Sequence, residues 1–116
     1  MRIVAGKLKG SILDMPKGKI TRPLKDIARE SIFNLLNHSN KILLRLKRSN
    51  VLDLYAGTGS FGLECLSRNA SKVTFVENNK NALKIFQKFY QIKIIRYFIR
   101  VPTKKIIKFI LKVVEF

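Results

Sequence analysis

Three glycines stand at Gly57-x-Gly59-x-x-Gly62 within the segment VLDLYAGTGSFG, with Asp53 four positions before the first and Glu77 twenty positions after it. A glycine-rich turn between a strand and a helix lets backbone approach a ligand closely. An acid at the tip of the next strand can accept hydrogen bonds from both ribose hydroxyls of an adenosine. NAD and S-adenosylmethionine both meet that description. Asp53 separates them. A carboxylate about 4 Å from a pyrophosphate costs on the order of 4 kcal/mol at an effective dielectric near 20, and gains a comparable amount beside an ammonium. S-adenosylmethionine offers a cationic amine and a sulfonium and no phosphate, so the charge pattern favours it over NAD.

These residues need a β-turn-α-β unit to place them. Val51 to Tyr55 reads as a short strand, Ala56 to Gly59 as the turn, Ser60 to Ser67 as a helix and Lys72 to Val76 as a second strand. Two parallel strands joined by such a crossover helix form the right-handed unit of a nucleotide-type sheet. A further helix is expected after it, capped near Asn78 or Asn79, with Ala82, Leu83, Phe86, Phe89 and Tyr90 at helical spacing. Upstream, Arg2 to Asp14 reads as two extended pieces punctuated by Gly6 and Gly10, a basic hairpin. Arg22-Pro23 then opens a helix whose predicted packing face is Leu24, Ile27, Ala28, Ser31, Ile32, Leu35 and Leu36. Lys25, Asp26, Arg29 and Glu30 fall on the predicted exposed side, and Asn37 to Asn40 supplies the stop. The expected fold is therefore an α/β, Rossmann-like domain with a basic N-terminal hairpin. Its divisions are an extension over 1–20, the first part of the domain over 21–90, and an atypical tail over 91–116.

Composition narrows the partners. The 116 residues hold 24 Lys+Arg against 7 Asp+Glu, a formal charge of +17. The excess is uneven: 12 basic and 3 acidic residues over 1–50, three of each over 51–80, and nine against one over 81–116. Two basic blocks around a neutral centre suit a polyanion, because each cation that neutralises a phosphate releases condensed counterions. A merely soluble, high-pI surface is the competing reading of charge alone. The single cysteine, Cys65, has no intrachain disulfide partner and reads as core packing. His38 reads as a helix C-terminal cap. Lysines and arginines interrupt every apolar run, and the opening MRIVAGKLKG lacks the apolar stretch of a leader, so the expectation is a cytoplasmic protein without membrane insertion, and a monomer. In the tail, Lys104, Lys108 and Lys112 lie at i, i+4 and i+8, which allows a cationic amphipathic helix.

Four segments in order, RIVAGKLKG, RPLKDIARESIFNLL, VLDLYAGTGSFGLECLSRNA and VTFVEN, resemble the RsmD family of bacterial 16S rRNA guanine-N2 methyltransferases over about Met1 to Phe86. The resemblance implies a class I S-adenosylmethionine-dependent methyltransferase acting on 16S ribosomal RNA or a small-subunit assembly intermediate. It implies that Asp53, Tyr55, Gly57, Gly59 and Phe61 bind the cofactor with Glu77 at the ribose. It implies that Arg2, Lys7, Lys9, Arg22 and Arg29 face RNA, with Arg22 at the rim of the active site.

The chain departs from the family pattern twice. Leu24 follows Arg22-Pro23 where the family usually has threonine, which removes a hydroxyl. No Asp/Asn-Pro-Pro-aromatic tetrapeptide, the family's holder of the target amine, occurs; the prolines are Pro16, Pro23 and Pro102. A guanine amine is a poor nucleophile until acceptors hold its hydrogens and aim its lone pair. The expectation is an incomplete domain, C-terminally truncated or shifted in reading frame around Phe86 to Tyr97, without catalytic residues of its own. A non-catalytic RNA-binding module with a vestigial cofactor loop is the alternative.

Overall fold

The computed structural model describes residues 1–15, 17, 25–40, 45–90 and 97–99. Within these, the chain runs α1 (Asp26–His38), β1 (Asn50–Leu54), α2 (Ser60–Ser67), β2 (Lys72–Val76), α3 (Lys80–Tyr90) and β3 (Tyr97–Ile99). The three strands form one sheet in the order β1-β2-β3, both pairs parallel, with Asp53 opposite Phe75 and Phe75 opposite Phe98. Parallel neighbours require a crossover, and α2 and α3 supply it. The expected β-turn-α-β unit is present, with α2 and β2 at their predicted bounds. β1 ends one residue early because Tyr55 adopts φ 56°, a left-handed backbone that no strand continues through.

β3 corrects the reading of the tail. Within residues 91–116, read as an atypical tail, Tyr97–Ile99 pairs in parallel with Thr74–Val76 as a third strand. An aromatic and β-branched triplet suffices for an edge position. The possible helix at 104–112 lies outside the described residues.

The N-terminal hairpin is present and short. Arg2 bridges Ile12 antiparallel, and Ile3, Gly10 and Leu13 donate N–H groups to Ser11, Ile3 and Met1 carbonyls at 3.0, 2.9 and 2.7 Å. Gly6 has φ 81°, and a Cβ there would overlap the Ser67 carbonyl, so only glycine lets the hairpin lie against the end of α2.

α1 departs from its predicted orientation. The buried side chains are Arg29 and Phe33, while Ile27 is 80% and Leu35 61% exposed. Arg29, expected on the exposed side, is 1% exposed. The helix is rolled toward partners that lie far away in sequence. Phe33 stacks on Phe61 of α2 with centroids 5.0 Å apart, and the Arg68 guanidinium sits 4.4 Å over the Phe33 ring. Arg29 reaches an acid on α2. The rest of the core joins Ile3 and Leu13 of the hairpin to Leu63, Cys65, Val73, Phe75 and Phe86.

Candidate functional site

Parallel strands end at one edge, and the residues singled out by spacing gather there. β1 delivers Asp53 to its carboxyl end, the loop from Tyr55 to Gly59 turns over that edge, and Glu77 follows β2 directly. The loop is anchored on the neighbouring strand through the Ala56 N–H to the Val76 carbonyl at 3.0 Å. Gly57 and Gly59 have φ 57° and 77°, conformations with little cost only for glycine.

Glycine has a further reason to be here. A Cβ on Gly59 would strike the Phe86 ring, and one on Gly62 would overlap Phe75 and stand 2.8 Å from Val73. The rings of Phe75 and Phe86 pack together at 4.6 Å and press the loop and the first turn of α2 from below. The second and third glycines are thus demanded by packing beneath the loop, whatever lies above it.

The two carboxylates organise the loop. Glu77 accepts the N–H of Gly57 on Oε2 and those of Asn78 and Asn79 on Oε1, each at 2.7 Å. Asn79 in turn caps α3, its Oδ1 accepting the Asn81 and Ala82 N–H groups at 2.9 and 3.2 Å, as expected for this segment. Asp53 accepts the Gly62 N–H at 3.0 Å. Burial raises its pKa to about 6, the Gly62 N–H opposes the rise, and the charge of Glu77 adds to it. Two acids whose charges act on one another at the carboxyl edge of the sheet make that edge more favourable to a cation than to a phosphate. The donor set fits an adenosine-bearing cation such as S-adenosylmethionine.

Of the other expected cofactor residues, Tyr55 is 65% exposed at the start of the loop. Phe61 is held in the stack with Phe33, so the structure gives it a packing role toward α1. Among the expected RNA contacts, Arg2, Lys7 and Lys9 have exposed side chains, and Arg22 lies outside the described residues. Arg29 is withdrawn from solvent, its Nη2 donating to the Arg2 carbonyl at 2.5 Å and to Asp26 Oδ1 at 2.8 Å. It is a structural cation that ties α1 to the hairpin.

Sequence reasoning missed the partner of that cation. Glu64 is fully buried on α2, accepting the Val4 and Ala5 N–H groups at 2.9 Å and Arg68 Nε at 3.0 Å, with Arg29 Nε at 3.7 Å. Ser67 completes the clamp: its hydroxyl donates to the Ala5 carbonyl and accepts the Leu8 N–H at 2.9 Å. A lone acid flanked by Leu63, Cys65 and Leu66 was the available signal. Cys65 is buried as expected, and burial, with the charges of Asp53 and Glu64, pushes its thiol up to about 12. His38 sits in the last turn of α1. No helix of the described residues is long and apolar enough to cross a membrane.

Comparison with known proteins gives this arrangement a context. The model of the family described as Conserved hypothetical protein 95 matches residues 1–106, past the 86–97 window in which the sequence suggests a change of frame. Ribosomal RNA small subunit methyltransferase D of Haemophilus influenzae is 37% identical over 91 residues, covering 78% of this chain and 44% of its own length. The Escherichia coli K12 protein of the same name is 35% identical over 80 residues, covering 69% of this chain and 37% of its own. Among solved structures, yhhF of Escherichia coli, described as a methyltransferase, superposes with a TM-score of 0.65 at 29% identity, over 84% of this chain and 51% of that one. A methylase of Haemophilus influenzae gives 0.57 at 33% identity, over 84% and 49%. The chain spans less than half the length of the curated relatives it matches.

Proposed function

This chain belongs to the Conserved hypothetical protein 95 family, which includes small-subunit rRNA methyltransferases D, and on that premise we propose that it binds S-adenosylmethionine in the service of methylating a guanine exocyclic amine of 16S rRNA. The observation that carries the reading is the Asp53–Glu77 pair at one glycine loop, Glu77 accepting the Gly57 N–H and Asp53 the Gly62 N–H, with Asp53 raised to about 6 chiefly by burial and in lesser part by the charge of Glu77.

When bound, S-adenosylmethionine supplies an electrophilic methyl carbon on a sulfonium. The chain's residues do the holding. Asp53 lies at the carboxyl end of β1, where its charge favours the cationic end of the ligand. Glu77, oriented by three backbone N–H groups, would accept the ribose hydroxyls on its remaining lone pairs. Gly57 and Gly59 let the loop turn through left-handed backbone, φ 57° and 77°, at little cost. The exposed Arg2, Lys7 and Lys9 of the hairpin supply cations for the RNA backbone.

Holding the guanine amine is a separate task, and the 116 residues contain no Asp/Asn-Pro-Pro-aromatic tetrapeptide for it. The +17 charge favours, as a second reading, an RNA-binding module. Isothermal titration with S-adenosylhomocysteine, together with transfer of labelled methyl to 16S rRNA, tests both. Cofactor binding lost in Asp53→Ala or Glu77→Ala, with RNA affinity kept, supports the first. Salt-sensitive RNA binding without any cofactor heat supports the second. A cytoplasmic monomer working on free rRNA or an assembling small subunit is part of the same proposal.

A further inference from the structure

The opposite edge of the sheet carries a second feature that the cofactor crevice does not use. A groove of about 590 Å³ opens at the amino ends of β1 and β2, lined by Lys7, Lys47, Arg48, Leu66, Asn69, Ala70 and Ser71. It is assembled from three separate segments laced by backbone hydrogen bonds. Lys7 N–H meets the Ser67 carbonyl at 2.8 Å, Arg48 N–H the Asn69 carbonyl at 2.9 Å, and Ser71 N–H the Ser49 carbonyl at 2.8 Å. The hairpin, the β1 approach and the α2–β2 turn are thereby fixed relative to one another.

Three properties mark this groove as built to receive something. Lys7, Lys47 and Arg48 are exposed, and none forms an ion pair with a carboxylate among the described residues. Arg48 and Asn69 both adopt left-handed backbone, φ 64° and 72°, a strained choice for arginine that the lacing sustains. The Asn69 amide and the Ser71 hydroxyl stand beside the cations, giving the mixture of Lys, Arg, Asn and Ser donors that phosphodiester contacts draw on.

We propose that this groove is a phosphate-binding track for RNA, a docking contact distinct from the cofactor edge. It rests on the RNA substrate proposed above and is independent of methyl transfer. The strand β1 separates the two edges by five residues, about 16 Å at roughly 3.3 Å per residue. An RNA that offers its base over the Asp53 edge therefore runs its backbone past the side of the domain to the groove. Lys7 is the hairpin residue common to the expected RNA contacts and to this lining, which joins the track to the N-terminal arm.

The test compares the full chain with the variant K7A/K47A/R48N, asparagine being chosen because it tolerates the left-handed backbone at position 48. The readout is anisotropy of a fluorescein-labelled RNA stem-loop across a salt series. Each lost phosphate contact lowers the slope of log affinity against log salt by about 1, so the variant should lose about 2 to 3. Titration with S-adenosylhomocysteine, unchanged in the variant, shows that it is folded. Should the triple variant fold poorly, K47A and R48N alone are each expected to lower the slope by about 1. The control K25A/K80A/K84A removes equal charge from exposed positions outside the groove and should lose less slope. An unchanged slope in the groove variant, an equal loss in the control, or binding to phosphatidylglycerol vesicles in place of RNA overturns the track. A wild-type chain that gives no S-adenosylhomocysteine heat yet shows the groove-specific slope difference defeats the methyl-transfer reading and leaves the track standing.

Discussion

Glu64 on α2 and Arg29 on α1 face each other at 3.7 Å, both withdrawn from solvent. The glutamate also holds two backbone N–H groups of the hairpin, so one carboxylate joins three elements. Breaking a buried ionic cluster from one side leaves a charge without compensation, which costs about 3 to 5 kcal/mol. Glu64→Ala should lower stability by about that amount in urea titration, and Glu64→Gln, which keeps an acceptor but no charge, by less.

Arg29 separates a structural cation from an RNA contact. Its Nε and Nη1 find no hydrogen-bond partner among the described residues, and its remaining donor is committed to Arg2 and Asp26. Arg29→Ala is expected to lower the urea midpoint markedly. The same variant, at a temperature where it is folded, should leave the salt slope of RNA binding within about 0.3 of wild type, against the change of about 1 that loss of a phosphate contact gives.

Gly59 and Gly10 share a positive φ, 77° and 86°, but not surroundings: a Cβ on Gly59 meets the Phe86 ring, whereas one on Gly10 meets nothing within 4 Å. Gly10→Ala should therefore cost about 1 kcal/mol of backbone strain. Gly59→Ala adds overpacking, typically about 1 to 3 kcal/mol more. Thermal denaturation of the two variants side by side measures the difference directly.

Asp53 makes stability and ligand affinity respond to pH in opposite senses. Its pKa in the fold, about 6, lies above the ordinary 3.8, so its contribution to stability is fully present below the ordinary value and is lost as pH rises through 6. The whole effect is of order 3 kcal/mol. A cationic ligand needs the ionised form, so its affinity should weaken below about pH 6. Asp53→Asn keeps an acceptor for the Gly62 N–H, and is expected to be more stable than wild type at pH 7.5 by about 1 to 3 kcal/mol. It should also bind S-adenosylhomocysteine more weakly, with a flatter pH profile.

Residues whose structure depends on near neighbours were readable in advance. The turn from Ala56 to Gly59, α2 and β2 obey local rules of glycine placement, capping and β-branching, and they came out where those rules put them. The roll of α1 was not readable from its own periodicity. Its true partners, Phe61, Glu64 and Arg68, lie about 30 residues downstream, and an arginine counts as exposed in any apolar pattern until its acid is known. β3 was missed for a related reason: a triplet carries too little pattern by itself, and its stability comes from pairing with β2. The common location of Asp53 and Glu77 at one edge was legible because their spacing is set within one β-turn-α-β unit. The stacking of Phe61 was not, since the ring it packs against belongs to another helix.

The thiol of Cys65, buried on α2 within the core and held protonated well past neutrality, has a practical use. The thiolate is the form that attacks an alkylating reagent, so modification has to wait until α2 comes away from its surroundings. As the sole sulfhydryl of the molecule, it times how often α2 opens from the core, without any label having to be engineered in.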